Sequence, residues 1–342
     1  MTVAELKAKI KSGDLSGAYI FSGEEDYLKR YYTEQLACAV CTDEVFAPFN
    51  RVVFDGADVS VLDIKEALAS PPMMADYKLV EWKYPDLEHM REGERRELCA
   101  LAEGIGEYPY AVLVLLCDTE GFDPGTVRRP SRLAISLGKN FSVVNFEKST
   151  DAQLIAWLKK HFDAEGIGVD SGTLSALIFR SGHSMQVLKR ETEKLAAYAK
   201  ANGMARIDTE TVRFVAAPTL ECDAFALSGA ITDKSREGAF LALADMKQRR
   251  VEAGAVLAML QRSFSELATV ALLLDEGKRA SDIEAMLKWN PYKVKLAIGS
   301  AKRWGTGRLI EAKERLRVLD AESKSGGISG YKTLEMFICQ YI

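Results

Sequence analysis

The chain reads as an α/β domain followed by all-α segments, on three observations. Up to residue 147, short apolar β-rich runs alternate with stretches of helical periodicity, the pattern of a parallel sheet with crossover helices. One of these runs, Ala111-Val112-Leu113-Val114-Leu115-Leu116, is continuously apolar, as in a strand buried on both faces. Beyond residue 148 the strand pattern stops and only helical spacing remains.

Taken in order, Ala18–Phe21 predicts a first strand that ends at Ser22-Gly23. A helix follows, with Leu28, Tyr32, Leu36 and Val40 four apart on one face. Arg51–Phe54 predicts a strand, and Val61–Ala69 a helix opened by polar Asp58 and Ser60. Lys78–Trp82 is a strand, Glu92–Gly104 a charged helix, and Ser142–Phe146 the last strand. Thr150-Asp151-Ala152-Gln153 has the form of a capping box and opens a helix carrying Leu154, Trp157, Leu158 and His161. Three more helical segments, punctuated by Gly166, Gly168 and Gly182, run to Ala217. From Pro218 onward the strongest signal is Val256, Met259, Leu260, Ser263, Leu267, Val270, Ala271 and Leu274, mostly three or four apart, which predicts a long amphipathic helix. Ser325-Gly326-Gly327-Ile328-Ser329-Gly330 interrupts the pattern before a final helix, Tyr331–Tyr341. These boundaries divide the chain into domains at 1–147, 148–217 and 218–342.

With 342 residues, 48% hydrophobic and 27% charged, the chain has ordinary globular composition. The start, Met1-Thr2-Val3-Ala4-Glu5-Leu6-Lys7, lacks the apolar centre of a signal peptide, and no stretch reaches membrane-spanning length, so a cytoplasmic protein is expected. Four of the six cysteines are scattered, and Cys38 and Cys41 lack partner ligands for zinc. They are expected to pack on one helix face. A net charge of −4 argues against tight autonomous DNA binding, whose affinity comes from neutralised phosphates.

Chemistry is missing where it belongs. A strand, glycine turn and helix at the start of an α/β domain is the place for a phosphate loop, which needs Lys for the phosphates and Ser or Thr for magnesium. Here the turn is Ser22-Gly23-Glu24-Glu25-Asp26, and three successive carboxylates repel a triphosphate. Asp118-Thr119-Glu120, after the apolar run, resembles a worn metal-binding strand end; a plain polar exit is the simpler reading. His89, His161 and His183 have no second His or Cys at ligand spacing, and no nucleophile elbow or zinc-protease helix occurs. No cofactor, metal or catalytic residue is expected.

Nearly the whole chain resembles the delta subunits of the bacterial DNA polymerase III clamp loader. The segments that carry this are Gly17–Leu28, Ala69–Val80, Phe146-Glu147-Lys148 with Leu154–Lys160 and Glu165-Gly166-Ile167, Gly182–Leu188 with Glu191–Leu195, Asp223–Leu227, Asn290–Val294, and Asp320 with Lys324-Ser325-Gly326. Their order and spacing are specific. The resemblance implies an AAA+-like α/β domain, a helical lid and a helical collar. It implies assembly with gamma/tau and delta-prime, contact with primer–template DNA inside the complex, and a place in the cytoplasmic, nucleoid-associated replication machinery. It implies a role in binding and opening the β sliding clamp, with ATP bound by partner subunits. A nucleotidyltransferase label would attach only through membership of the polymerase holoenzyme. Ser184 and Gln186 stand where the family commonly has an acid and an arginine.

The site implied is the adjacent pair Met73 and Met74, flanked by Pro72, Ala75 and Asp76. In the family two large apolar residues enter a hydrophobic pocket on the clamp. Methionine suits such irregular pockets, and burying two would contribute roughly 3–6 kcal/mol before ordering costs. The alternative is that both fold back onto their own sheet. The basic clusters Lys247, Arg249, Arg250 and Arg128, Arg129, Arg132 read as solvated faces, with DNA contact the alternative. Rival functions are a helical adaptor outside replication and an active ATPase of the same architecture; the acidic turn disfavours the latter.

Overall fold

The computed structural model describes residues 1–41, 43, 45–56, 58–126, 129–325 and 330–342. Arg128 of the second basic cluster and Gly326, Gly327, Ile328 and Ser329 of the expected helix break lie outside the described residues. The chain forms two compact units, Met1–Ser149 and Thr150–Ile342.

The first unit runs α1 (Val3–Ser12), β1 (Gly17–Ser22), α2 (Asp26–Val40), α3 (Ala47–Asn50), β2 (Arg51–Asp55), α4 (Val61–Ala69), β3 (Lys78–Lys83) and α5 (Glu92–Glu103). It continues through β4 (Ala111–Leu116), the two-residue strands β5 (Gly125–Thr126) and β6 (Arg129–Pro130), α6 (Arg132–Leu137) and β7 (Ser142–Asn145). Five strands pair in the order β2-β3-β4-β1-β7, and every ladder is parallel. Because successive side chains leave a strand on opposite faces, β1, β3 and β4 each feed two cores. Ile20, Val80, Trp82, Leu113 and Leu115 pack with Ile64 and Leu68 of α4 and Leu98 of α5. Tyr19, Phe21, Leu79, Val112 and Val114 pack with Leu36 and Val40 of α2 and Leu6 of α1. The continuous apolar run at β4 is buried at every position, as its composition requires.

The second unit begins with α7 (Asp151–Ala164), β8 (Gly168–Val169), α8 (Ser171–Ser181), α9 (Met185–Ala201), β9 (Arg206–Ile207) and α10 (Thr209–Val215). It ends with α11 (Leu220–Thr232), α12 (Arg236–Gln248), α13 (Ala253–Asp275), α14 (Ala280–Leu287), α15 (Pro291–Lys324) and α16 (Tyr331–Tyr341). Thr150 caps α7 in a complete capping box with Gln153. The fold class is the α/β plus all-α arrangement expected.

Three expectations are corrected. Strand structure does not stop at residue 148, because β8 and β9 form a short parallel ladder. Cys38 is exposed rather than packed, since Leu36, Ala37 and Val40 supply the buried face of α2. Among the described residues one helix, α13, is long and apolar enough to cross a membrane by length and composition. Its apolarity has a different cause. Beside the expected stripe of Val256, Leu260, Leu267 and Val270 it buries Leu257, Phe264, Ala268 and Leu273, so it is the central core helix of this unit.

Candidate functional site

The chain leaves α4 at Ser70 and enters β3 at Lys78. Pro71 and Pro72 prevent the helix from continuing, because proline lacks the N–H that a further turn would use. The intervening loop is held at both its root and its centre. The buried Lys78 ammonium donates to the Ser70 carbonyl at 3.0 Å, and burial pushes its pKa below the usual lysine value. The Tyr110 hydroxyl lies 3.3 Å from the carbonyls of Leu68 and Ala69. At the centre, Asn50 at the end of α3 both donates to and accepts from the main chain of Met73.

Met73 is 46% exposed and Met74 is 79% exposed. Neither thioether is folded back into the sheet cores. Pro72 and Ala75 are half-buried and Asp76 is exposed. The loop therefore presents two adjacent apolar side chains on a main chain fixed by buried polar groups. Arg51, the residue after Asn50, is forked between Glu34 at 2.6 Å and the fully buried Glu81 at 2.6 Å. That fork ties the start of β2 to α2 and β3.

The glycine turn after β1 lies at the opposite end of the parallel strands from this loop. Protein groups bond to this turn directly, and a cavity of about 530 Å³ opens beside it, lined by Gly23, Glu24, Asp123, Asn145, Glu147 and Lys148. Lys29 of α2 is only 4% exposed, and its ammonium donates to the carbonyls of Gly23 and Cys117 at 2.8 Å each and pairs with Asp26 at 2.9 Å. Gly23 sits at φ +101°, and a side chain there would run into the Phe146 carbonyl. Glu25 is buried beside it, and desolvation pushes its carboxyl above the usual range. At the end of β4, Asp118 accepts from the Gly121 N–H at 2.7 Å and so shapes a turn.

The remaining candidates are dispersed. His89 pairs with Asp86, His161 stands edge-on to Trp157, and His183 pairs with Asp151 at 2.8 Å. Among the described residues no group of His, Cys, Asp and Glu converges as a metal cluster. Ser184 caps α9 through the Val187 N–H. Arg249 is occupied by Asp223 at 2.5 Å and Asp245 at 2.8 Å, and the Lys247 ammonium lies over the Tyr331 ring. Arg129 and Arg132 are exposed. In the second unit a cavity of about 470 Å³ is rimmed by Arg180, Arg213 and Arg303, but each guanidinium is already bonded to protein oxygens. Asn50 and Lys29 carried no signal in the sequence: an Asn before a strand and a Lys in a helix are both ordinary on the surface.

A family model described as DNA polymerase III, delta subunit, matches residues 19–147. Another, described as DNA polymerase III delta subunit, C-terminal domain, matches residues 221–341. The chain is 25% identical to DNA polymerase III subunit delta of Bacillus subtilis (strain 168), covering 99% of this chain and 97% of that one. Among solved structures, the Bacillus subtilis DNA clamp loader delta protein (YqeN) superposes with a TM-score of 0.61 at 21% identity, covering 99% of both chains. The latter likeness extends the shared fold over the full length.

Proposed function

Because the chain belongs to the family of DNA polymerase III delta subunits, we propose that it binds the β sliding clamp through Met73 and Met74 and opens it for loading on primed DNA. The observation that carries this is the exposure of two adjacent methionines on a loop whose main chain is held from beneath. Preorganisation matters energetically. Loop ordering is one of the costs that separates buried area from affinity, and a loop already held loses less on binding.

In this reading the collar, residues 218–342, assembles with gamma/tau and delta-prime, and residues 148–217 form the lid. The two family matches, which end at 147 and resume at 221, support that division. ATP is bound by the partner subunits, and this chain supplies no catalytic group of its own. The acidic turn Glu24-Glu25-Asp26, and a Lys29 ammonium committed to the Gly23 and Cys117 carbonyls, support that assignment, since a phosphate loop would need a free lysine and no carboxylates there. The complex works in the cytoplasm on primer–template DNA. Clamp opening follows from differential affinity, because a ligand shifts an equilibrium only by binding one state better than the other.

Surface-plasmon binding to the β clamp of the same organism tests the reading, with wild type beside Met73→Ala/Met74→Ala. The double variant is expected to melt like wild type and to lose affinity by about 100-fold or more. Binding that survives the substitutions moves the site elsewhere on the chain. A wild-type chain that ignores the clamp even with gamma/tau and ATP present returns the adaptor reading.

A further inference from the structure

Asn50 ends the one-turn helix α3 and is 1% exposed. A buried amide needs partners for both its oxygen and its NH2 group. Asn50 finds both on one residue, 23 positions away. Its Nδ2 donates to the Met73 carbonyl at 2.7 Å, and the Met73 N–H donates to its Oδ1 at 2.7 Å. This is the two-way pairing that a neighbouring strand would offer, made by a single side chain. The next residue, Met74, sits at φ +53°, a left-handed conformation that a residue with a long side chain adopts only when its surroundings impose it.

We propose that Asn50 is the positioning residue of the docking loop. It fixes the Met73 main chain, which in turn holds Met74 in its left-handed conformation, so that the two thioethers stand outward together for an apolar pocket on the partner. Arg51 holds the base of this device through Glu34 and Glu81. The inference rests on the reading of Met73 and Met74 as clamp anchors. It adds that affinity depends on a residue that presents no side chain to the partner.

Three measurements test it on the full-length chain. In the wild type, the Met73 amide exchanges slowly with solvent, and exchange at the unprotected rate overturns the inference without any variant. Asn50→Ala, shown folded by circular dichroism, lowers clamp affinity about 10-fold while both methionines remain. Asn50→Asp sets a carboxylate against the Met73 carbonyl, which repels it; a protonated acid donates to that carbonyl and restores the clasp. Its clamp binding therefore recovers as pH falls, while that of the wild type does not, a profile that a purely structural role would not produce. If both Asn50 variants bind like wild type while Met73→Ala/Met74→Ala does not, the docking reading stands and the positioning role falls. A wild-type chain that does not bind the clamp even with gamma/tau and ATP present overturns both.

Discussion

At the scale of single residues, burial sorts side chains whose types look alike in the sequence. Cys117 ends the central strand region at 1% exposure, and desolvation drives its thiol pKa far above the ordinary value. Cys222 is pushed up to about 11 by the same cause. Cys38 and Cys339 are exposed. Alkylation of the native protein is therefore expected to label Cys38 and Cys339 within minutes and to reach Cys117 and Cys222 only on unfolding, read by mass spectrometry. Early labelling of Cys117 would contradict its place in the core. Lys29 illustrates the same sorting for charge. A lysine at 4% exposure is tolerated because two carbonyls and Asp26 replace the water it has lost. Met73 and Met74 are the converse case, apolar side chains that the fold leaves outside.

At the scale of elements, the local signals were legible and the cross-links were not. The capping boxes at Ser60 and Thr150 can be read from four consecutive residues, because the bonds they make close within one turn. The two-residue ladders β5–β6 and β8–β9 are too short to carry a period, which is why the sequence shows none. The Arg51 fork joins β2 to α2 across 17 positions and to β3 across 30. Hydrogen bonding from Arg51 holds the Glu34 carboxyl below its ordinary value of 4.5. A depressed folded-state pKa contributes stability that is complete above the unfolded value and lost as pH falls through the folded one. Glu34 is largely exposed, so solvent screens the pair. Glu34→Gln is expected to lower the unfolding free energy by less than about 1 kcal/mol at neutral pH and by nothing in acid strong enough to protonate the carboxyl, read by urea titration. Within α15, Gly305 at φ +70° breaks a helix that spans Pro291–Lys324.

At the scale of the whole molecule, Met1–Ser149 and Thr150–Ile342 are separate compact units, each with its own apolar clusters. The proposed docking loop and all its supports, Asn50, Lys78 and Tyr110, lie in the first. Residues 1–149 alone are expected to unfold cooperatively and to bind the clamp within a few-fold of the full chain. A folded fragment that fails to bind would place essential contacts in residues 150–342. In the second unit, Asp151 at the start of α7 holds His183 at the α8–α9 turn and Asn290 at the start of α15. Lys293, one turn further on, is 6% exposed between Glu221 and Glu266 at 2.8 Å each. The Asn290–Val294 segment, conspicuous in the sequence, is thus a structural joint.

The sequence by itself determined the main strands and helices and the class of the fold, because periodicity and capping are properties of neighbouring residues, while the family showed only as a resemblance carried by segments in order along the chain. It also drew attention to Met73 and Met74, though two bulky apolar residues after two prolines could equally have been core. Their exposure, the Asn50 clasp and the Lys29 bonds were decided only in three dimensions. The partners concerned lie 23 positions apart for Asn50 and Met73, and 88 for Lys29 and Cys117. At such separations it is the stacking order of the parallel strands, and no local preference, that decides which groups meet.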